Sequence, residues 1–138
     1  MKTARTAIGA IAVACVAAAA AAAAGPSVLL NLKGGYADRE LVACNIRHHY
    51  TFFHVARTLR MDGSVRPVPG PGWTVKVKVK RCAGGSFRTI WAGHAQGKSD
   101  GTFAIAYTPR RAGALFARAY YYGVQPAVRS DKQYLRVR

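Results

Sequence analysis

The chain has 138 residues, with 21 Lys and Arg against 5 Asp and Glu, a formal charge of +16. That length admits one domain, and an apolar content of 51% excludes a disordered chain. Five carboxylates leave little material for acid–base pairs, so composition already argues against an enzyme.

Lys2 and Arg5 precede an apolar run, Ala7 to Ala24, that closes in an unbroken alanine tract and stops at Gly25-Pro26. A charged start, an apolar middle and a small-residue end are the parts of a secretory signal peptide. Residues 1–24 are therefore read as that peptide, with Ala22-Ala23-Ala24 matching the A-x-A cleavage pattern. The run is 18 residues of weakly apolar alanine, the short limit for a membrane span, so no stable span is expected after cleavage. An uncleaved anchor, or lipid attachment at Cys15 within Ala12-Val13-Ala14-Cys15, are the lesser alternatives. Loss of Lys2 and Arg5 would leave 19 basic against 5 acidic residues, net +14.

Export also decides how the remaining cysteines are read. Cys44 and Cys82 are then the only two, and in an oxidising compartment they most simply form one disulfide. A metal site would have to combine them with His48, His49 or His54. No C-x2-C pair supports that, so no metal and no cofactor are expected.

After the leader, Ser27–Lys33 reads as a short edge strand or a disordered leader. The stretch 38–60 carries two patterns: Tyr50–Leu59 reads as a strand leading to an Asp62-Gly63 turn, while Val42, Ile46, Tyr50, Phe53 and Ala56 fit a helical stripe. The strand fits the all-β context better. Val68-Pro69-Gly70-Pro71-Gly72 is neither helix nor central strand. From Trp73 to Arg81, Val75, Val77 and Val79 alternate with Lys76, Lys78 and Lys80, a half-buried strand with lysines to water. Gly84-Gly85 turns the chain into Phe87–Ala92, expected to carry Phe87, Thr89 and Trp91 on one side. Asp100-Gly101 introduces Thr102–Tyr107, Pro109-Arg110-Arg111-Ala112-Gly113 breaks the chain, and Ala114–Tyr122 and Gln133–Arg138 complete it. Short strands at this spacing make an all-β sandwich or barrel.

Several of these turns carry a resemblance. Thr58-Leu59-Arg60-Met61-Asp62-Gly63 with Pro67-Val68-Pro69-Gly70, then Asp100-Gly101-Thr102-Phe103, then Ala112 to Tyr120, resemble bacterial secreted Ig-like or transthyretin-like domains over residues 50–138. Arg57 stands where that family often has glycine. The resemblance implies a single Ig-like β-sandwich of about seven strands, an accessory, adhesive or spacer module without catalysis. The expected division is 1–24 signal peptide, 25–46 N-terminal leader or edge segment, and 47–138 β-sandwich.

Charge is the functional signal that remains. Lys76, Lys78 and Lys80 project from one strand face roughly 6.5–7 Å apart. Arg81 follows, and Arg136 and Arg138 beside Tyr134 form a second stripe. Joined in one sheet, these residues would concentrate anions, which points to an anionic cell-wall or extracellular polymer as partner. The alternative is lysine guarding a solvated sheet edge. Tyr120 and Tyr122, with Trp91, are a candidate sugar-stacking or protein-binding patch, and Arg118 between Phe116 and Tyr120 suggests a cation–π ladder. The second partner class is thus another extracellular protein. No motif supports specific nucleic-acid recognition. No serine lies in a G-x-S-x-G elbow, and His48 and His49 have only Asp38 and Glu40 near them in sequence, so no catalytic residue is assigned.

Overall fold

The computed structural model describes residues 25–138, and the expected signal peptide lies outside the described residues. The strands are β1 (Ser27–Lys33), β2 (Ala37–Ala43), β3 (Ile46–Phe53), β4 (Leu59–Arg66), β5 (Thr74–Ala83), β6 (Ser86–Gln96), β7 (Thr102–Tyr107), β8 (Gly113–Tyr121), β9 (Val128–Arg129) and β10 (Gln133–Val137). They form two sheets: a small one ordered β1-β4-β7, and a large one ordered β2-β3-β10-β8-β5-β6, with β9 also pairing β8. Among the described residues no helix is long and apolar enough to cross a membrane.

The alternating pattern in β5 explains how the sheets meet. Val75, Val77 and Val79 are buried to 1% exposure or less. Ala117 and Ala119 of β8 lie beside them, small enough to let the small sheet approach. Leu30, Met61, Val65 and Phe103 come from the opposite sheet, so the main core is a sandwich interior. β1 belongs to this interior through Val28 and Leu30, and β2 pairs with β3 along its whole length, so residues 25–46 supply an edge strand to each sheet.

Two local expectations are corrected, and the helical alternative for 38–60 is set aside. Asp62-Gly63 is mid-strand in β4, not a turn: Gly63 pairs with Leu30 and Phe103, and a β-carbon there would strike the Phe103 ring and the Leu29 carbonyl. The glycine answers a close approach rather than a reversal. The helical stripe in 38–60 is not a helix, because Cys44 and Asn45 both take left-handed φ (54° and 62°) and reverse the chain into the β2–β3 hairpin. Finally, Phe87, Thr89 and Trp91 do not share a side. Val79 pairs with Trp91 but Lys80 pairs with Thr89, so Ile90 is an extra residue in β6. This β-bulge switches faces, sending Trp91 toward the main core and Phe87 to the other side.

The disulfide Cys44–Cys82 is present and spans 38 residues of sequence. β10 and β8 lie between β3 and β5, so in a flat sheet those strands would stand roughly 14 Å apart, three spacings of about 4.8 Å. The two cysteine Cα atoms are only 5.7 Å apart. The hairpin tip therefore arches over the outer face of the large sheet. Beneath it sits a second core of Tyr50, Phe52, Ala114, Phe116 and Tyr134, with Phe87 and Leu41 against it. The rings of Phe87 and Phe116 lie 4.9 Å apart and those of Tyr50 and Tyr134 5.4 Å, within the range of favourable aromatic pairs.

Candidate anion-binding face

The arching hairpin divides the outer face of the large sheet into a covered half and an open half. Lys76, Lys78 and Lys80 lie on this face because their alternate neighbours are committed to the core. Cross-strand register says what stands beside each. Lys80 pairs with Phe116, Lys78 with Arg118, and Lys76 with Tyr120 on β8. Tyr120 in turn pairs with Arg129 of β9, and Lys76 pairs with His94 of β6. The open half thus gathers Lys76, Lys78, Arg118 and Arg129 around Tyr120. Lys132 joins them from the segment before β10.

Rings and carbonyls hold these cations in place. The Lys78 Nζ sits 4.9 Å from the Tyr120 ring centroid, and those of Lys80 and Lys132 sit 5.7 and 4.9 Å from Phe116. Such contacts contribute about 0.5–1 kcal/mol when exposed. The expected Arg118 ladder takes a different form. Arg118 Nε donates to the Ser130 carbonyl at 2.7 Å, and lysines fill the cation–π positions. Ser130 is itself 1% exposed: its hydroxyl accepts from the Ala119 amide (2.9 Å) and donates to the Asp131 carbonyl (2.9 Å). This buried serine fixes the chain between β9 and β10, and with it the position of Arg118.

Lys78 directly opposite Arg118 is a like-charge pair in the middle of a sheet, an arrangement that destabilises. Directly opposed like charges of this kind destabilise a sheet by roughly 0.2–1 kcal/mol. Among the described residues neither cation makes an ion pair. Among the described residues the ion pairs are Arg47 with Glu40, Arg60 with Asp62, and His49 with Asp38 and Glu40. Asp100 is held below the usual carboxylate range by hydrogen bonds from the Thr102 hydroxyl and amide, and serves its turn.

The expected site residues separate into three groups. Lys76 and Lys78 stand on the open half, with Lys80 at its border. Arg136 and Arg138 lie at the hairpin end. Arg136 pairs with Ala114, six residues along β8 from Tyr120, roughly 20 Å away. Arg138 rests its guanidinium 5.1 Å from the Phe52 ring. Arg81 is on the opposite side of β5, facing a cleft between the sheets. Tyr120 and Tyr122 stack, with centroids 6.2 Å apart and planes at 10°, and Tyr122 is 52% exposed. Trp91 is not with them, because the bulge turned it inward.

Arg129, Lys132 and His94 were not legible as members of this face. Arg129 reaches it through a two-residue strand that no periodicity announces, and Lys132 through a loop. A groove of about 580 Å³ extends the face toward the hairpin, lined by Arg118, Lys132, His48 and Tyr134, with Asp38 and Asp131 as its acids.

No family model matches the chain, and no curated protein matches it. Among solved structures it is similar to the CARDB domain of a Pyrococcus furiosus protein, solved in complex with di-metal ions. The identity is 15% and the TM-score 0.40, over 82% of this chain and 89% of that one. Among the described residues of this chain, no three His, Cys, Asp or Glu side chains come together as metal ligands would.

Proposed function

We propose that this protein is a secreted, non-enzymatic β-sandwich module that binds an anionic surface polymer through the open half of its large sheet. The observation that carries this reading is Lys78 facing Arg118 across a central strand pair, flanked by Lys76, Arg129 and Lys132, none of them in an ion pair among the described residues. Cations crowded at a cost to stability are expected where an anion is to be bound. Tyr120 beneath Lys78, with the exposed Tyr122 stacked on it, gives a polymer aromatic surface as well as charge. The disulfide fits an extracellular environment, as does the resemblance to bacterial secreted Ig-like or transthyretin-like domains.

The test is retention of the oxidised protein on heparin and on isolated cell wall across a salt gradient. Lys76→Gln, Lys78→Gln and Lys132→Gln together should lower the eluting salt sharply without lowering the melting temperature, which relief of the Lys78–Arg118 repulsion should if anything raise. Unchanged elution would sink the reading. A second reading rests on Tyr120 and Tyr122, whose stacked and half-exposed rings form a surface for a protein partner. Binding of that kind would survive high salt and be lost in Tyr122→Ala.

A further inference from the structure

The small and large sheets do not close along the side where their edge strands β7 and β6 face each other. A cleft of about 540 Å³ opens there, within the usual size range of small-ligand sites. Its walls are of two kinds. Ile90, Trp91 and Tyr107 supply apolar surface; Arg81, Arg110 and Arg111 supply charge; no acidic residue lines it.

The bulge in β6 builds the apolar wall. Ile90 is the extra residue and stands 44% exposed, and Trp91 is redirected to lie 5.0 Å from the Tyr107 ring. Bulges on edge strands commonly re-aim side chains in this way beside functional sites. The charged wall is built around Arg81. Its Nη2 donates to the Arg111 carbonyl at 2.8 Å, and its Nε lies over Gly113, where a β-carbon would come within 3.3 Å of it. That Nε is buried without an acceptor. In the β5–β6 ladder Arg81 faces another arginine, Arg88. The guanidinium is therefore held rigidly, without a counter-ion, at the end of an aromatic-walled cleft. With Nε buried and Nη2 bonded to the Arg111 carbonyl, Nη1 is the donor left to meet an anion in the cleft.

We propose that this cleft is a second binding site, separate from the lysine face, for a carboxylate-bearing sugar ring: the ring's apolar face rests on Trp91 and Ile90, and its carboxylate is held by Arg81 and Arg110. Guanidinium groups match carboxylates in geometry, and a fixed guanidinium loses little freedom on binding. The site suits a uronate unit better than a bare phosphate, because half of its wall would be left unused by an inorganic anion.

The test is a titration of the oxidised protein with the methyl glycoside of glucuronic acid, read at the two tryptophan indole N–H signals by NMR. Trp73, 7% exposed and hydrogen-bonded to the Lys98 carbonyl, is the internal control. The expected result is a saturable shift of the Trp91 signal at about millimolar ligand with Trp73 unmoved. Arg81→Met and Arg110→Gln should each weaken binding roughly tenfold to a hundredfold. Arg110 is exposed, so its substitution keeps the test valid even if Arg81→Met fails to fold. Lys78→Gln should leave the Trp91 titration unchanged, and Arg110→Gln should leave retention on cell wall unchanged, so either site can fail without the other. The proposal is overturned by no saturable Trp91 shift, by an equal shift with the neutral methyl glucoside, by tighter binding of inorganic phosphate, or by indifference to Arg110→Gln.

Discussion

Removing the disulfide should act on one part of the molecule before the rest. β3 pairs with β10 only over Thr51–Phe53, so the tip of the hairpin, from Ala43 to Tyr50, is joined to the body by the second core and by Cys44–Cys82. For a loop of 38 residues the chain-entropy relation gives about 3–4 kcal/mol. Cys44→Ala with Cys82→Ala should therefore lower the melting temperature by about 10–20 °C for a domain of this size. Hydrogen exchange should locate the loss. Amides of β2 and of Ile46–Tyr50 should exchange much faster, while those of Val75, Val77 and Val79 change only with global stability. A loss below about 1 kcal/mol, or faster exchange spread evenly over both sheets, would refute the view that the bridge clamps the hairpin across the large sheet.

Ser130→Ala removes the acceptor of the Ala119 amide and should cost about 1–3 kcal/mol in chemical denaturation. It should also weaken polyanion binding by loosening Arg118, whereas a stability loss with binding intact would separate the two roles. Burial raises the phenol pKa of Tyr50 above the ordinary 10.0, with Tyr134 adding to the rise and Arg136 opposing it. Burial raises that of Tyr107 as well, with Arg81 opposing. Because both folded values lie above the unfolded one, their contribution is complete below about pH 10 and is lost as pH rises through the folded values. Ultraviolet titration should show these tyrosines ionising late, together with loss of stability above about pH 10, and normal titration of all tyrosines in the folded protein would contradict their burial. Gly63→Ala should destabilise β4 strongly, measured as a drop in melting temperature, because the new β-carbon meets the Phe103 ring and the Leu29 carbonyl.

The parts of the fold that sequence disclosed were those governed by short periods. Val75 to Lys80 is the half-buried strand its alternation announced, and Gly84-Gly85, with φ of +60° and +82°, and Asp100-Gly101 turn as expected. The disulfide followed from counting the cysteines that remain once residues 1–24 are read as a signal peptide. Long-range packing was less visible. A glycine that admits an aromatic ring, as Gly63 does, looks like a turn glycine until its neighbour is known. One extra residue at Ile90 reverses every side chain after it, and alternation cannot reveal where a bulge falls. The same limit applied to the candidate site. The lysine stripe on β5 was legible, but its companions Arg118, Arg129 and Lys132 are set by register and by a two-residue strand. Arg136 and Arg138 share the sheet but stand beneath the hairpin end, and Arg81 points the other way. A basic residue's position along the chain says little about which cations it meets.

The most direct measurement compares two variants of equal charge. One replaces Lys76, Lys78 and Lys132 by Gln; the other replaces Lys33, Arg57 and Lys98, all exposed and away from both the open face and the cleft. Binding to heparin and to isolated cell wall is followed as a function of salt, since the slope of log affinity against log salt counts the cations engaged. The face variant should lose affinity steeply and show a shallower slope, while the charge-matched variant stays close to the parent protein. Equal losses in the two would mean that net charge alone attracts the polymer, and would contradict an organised anion-binding face.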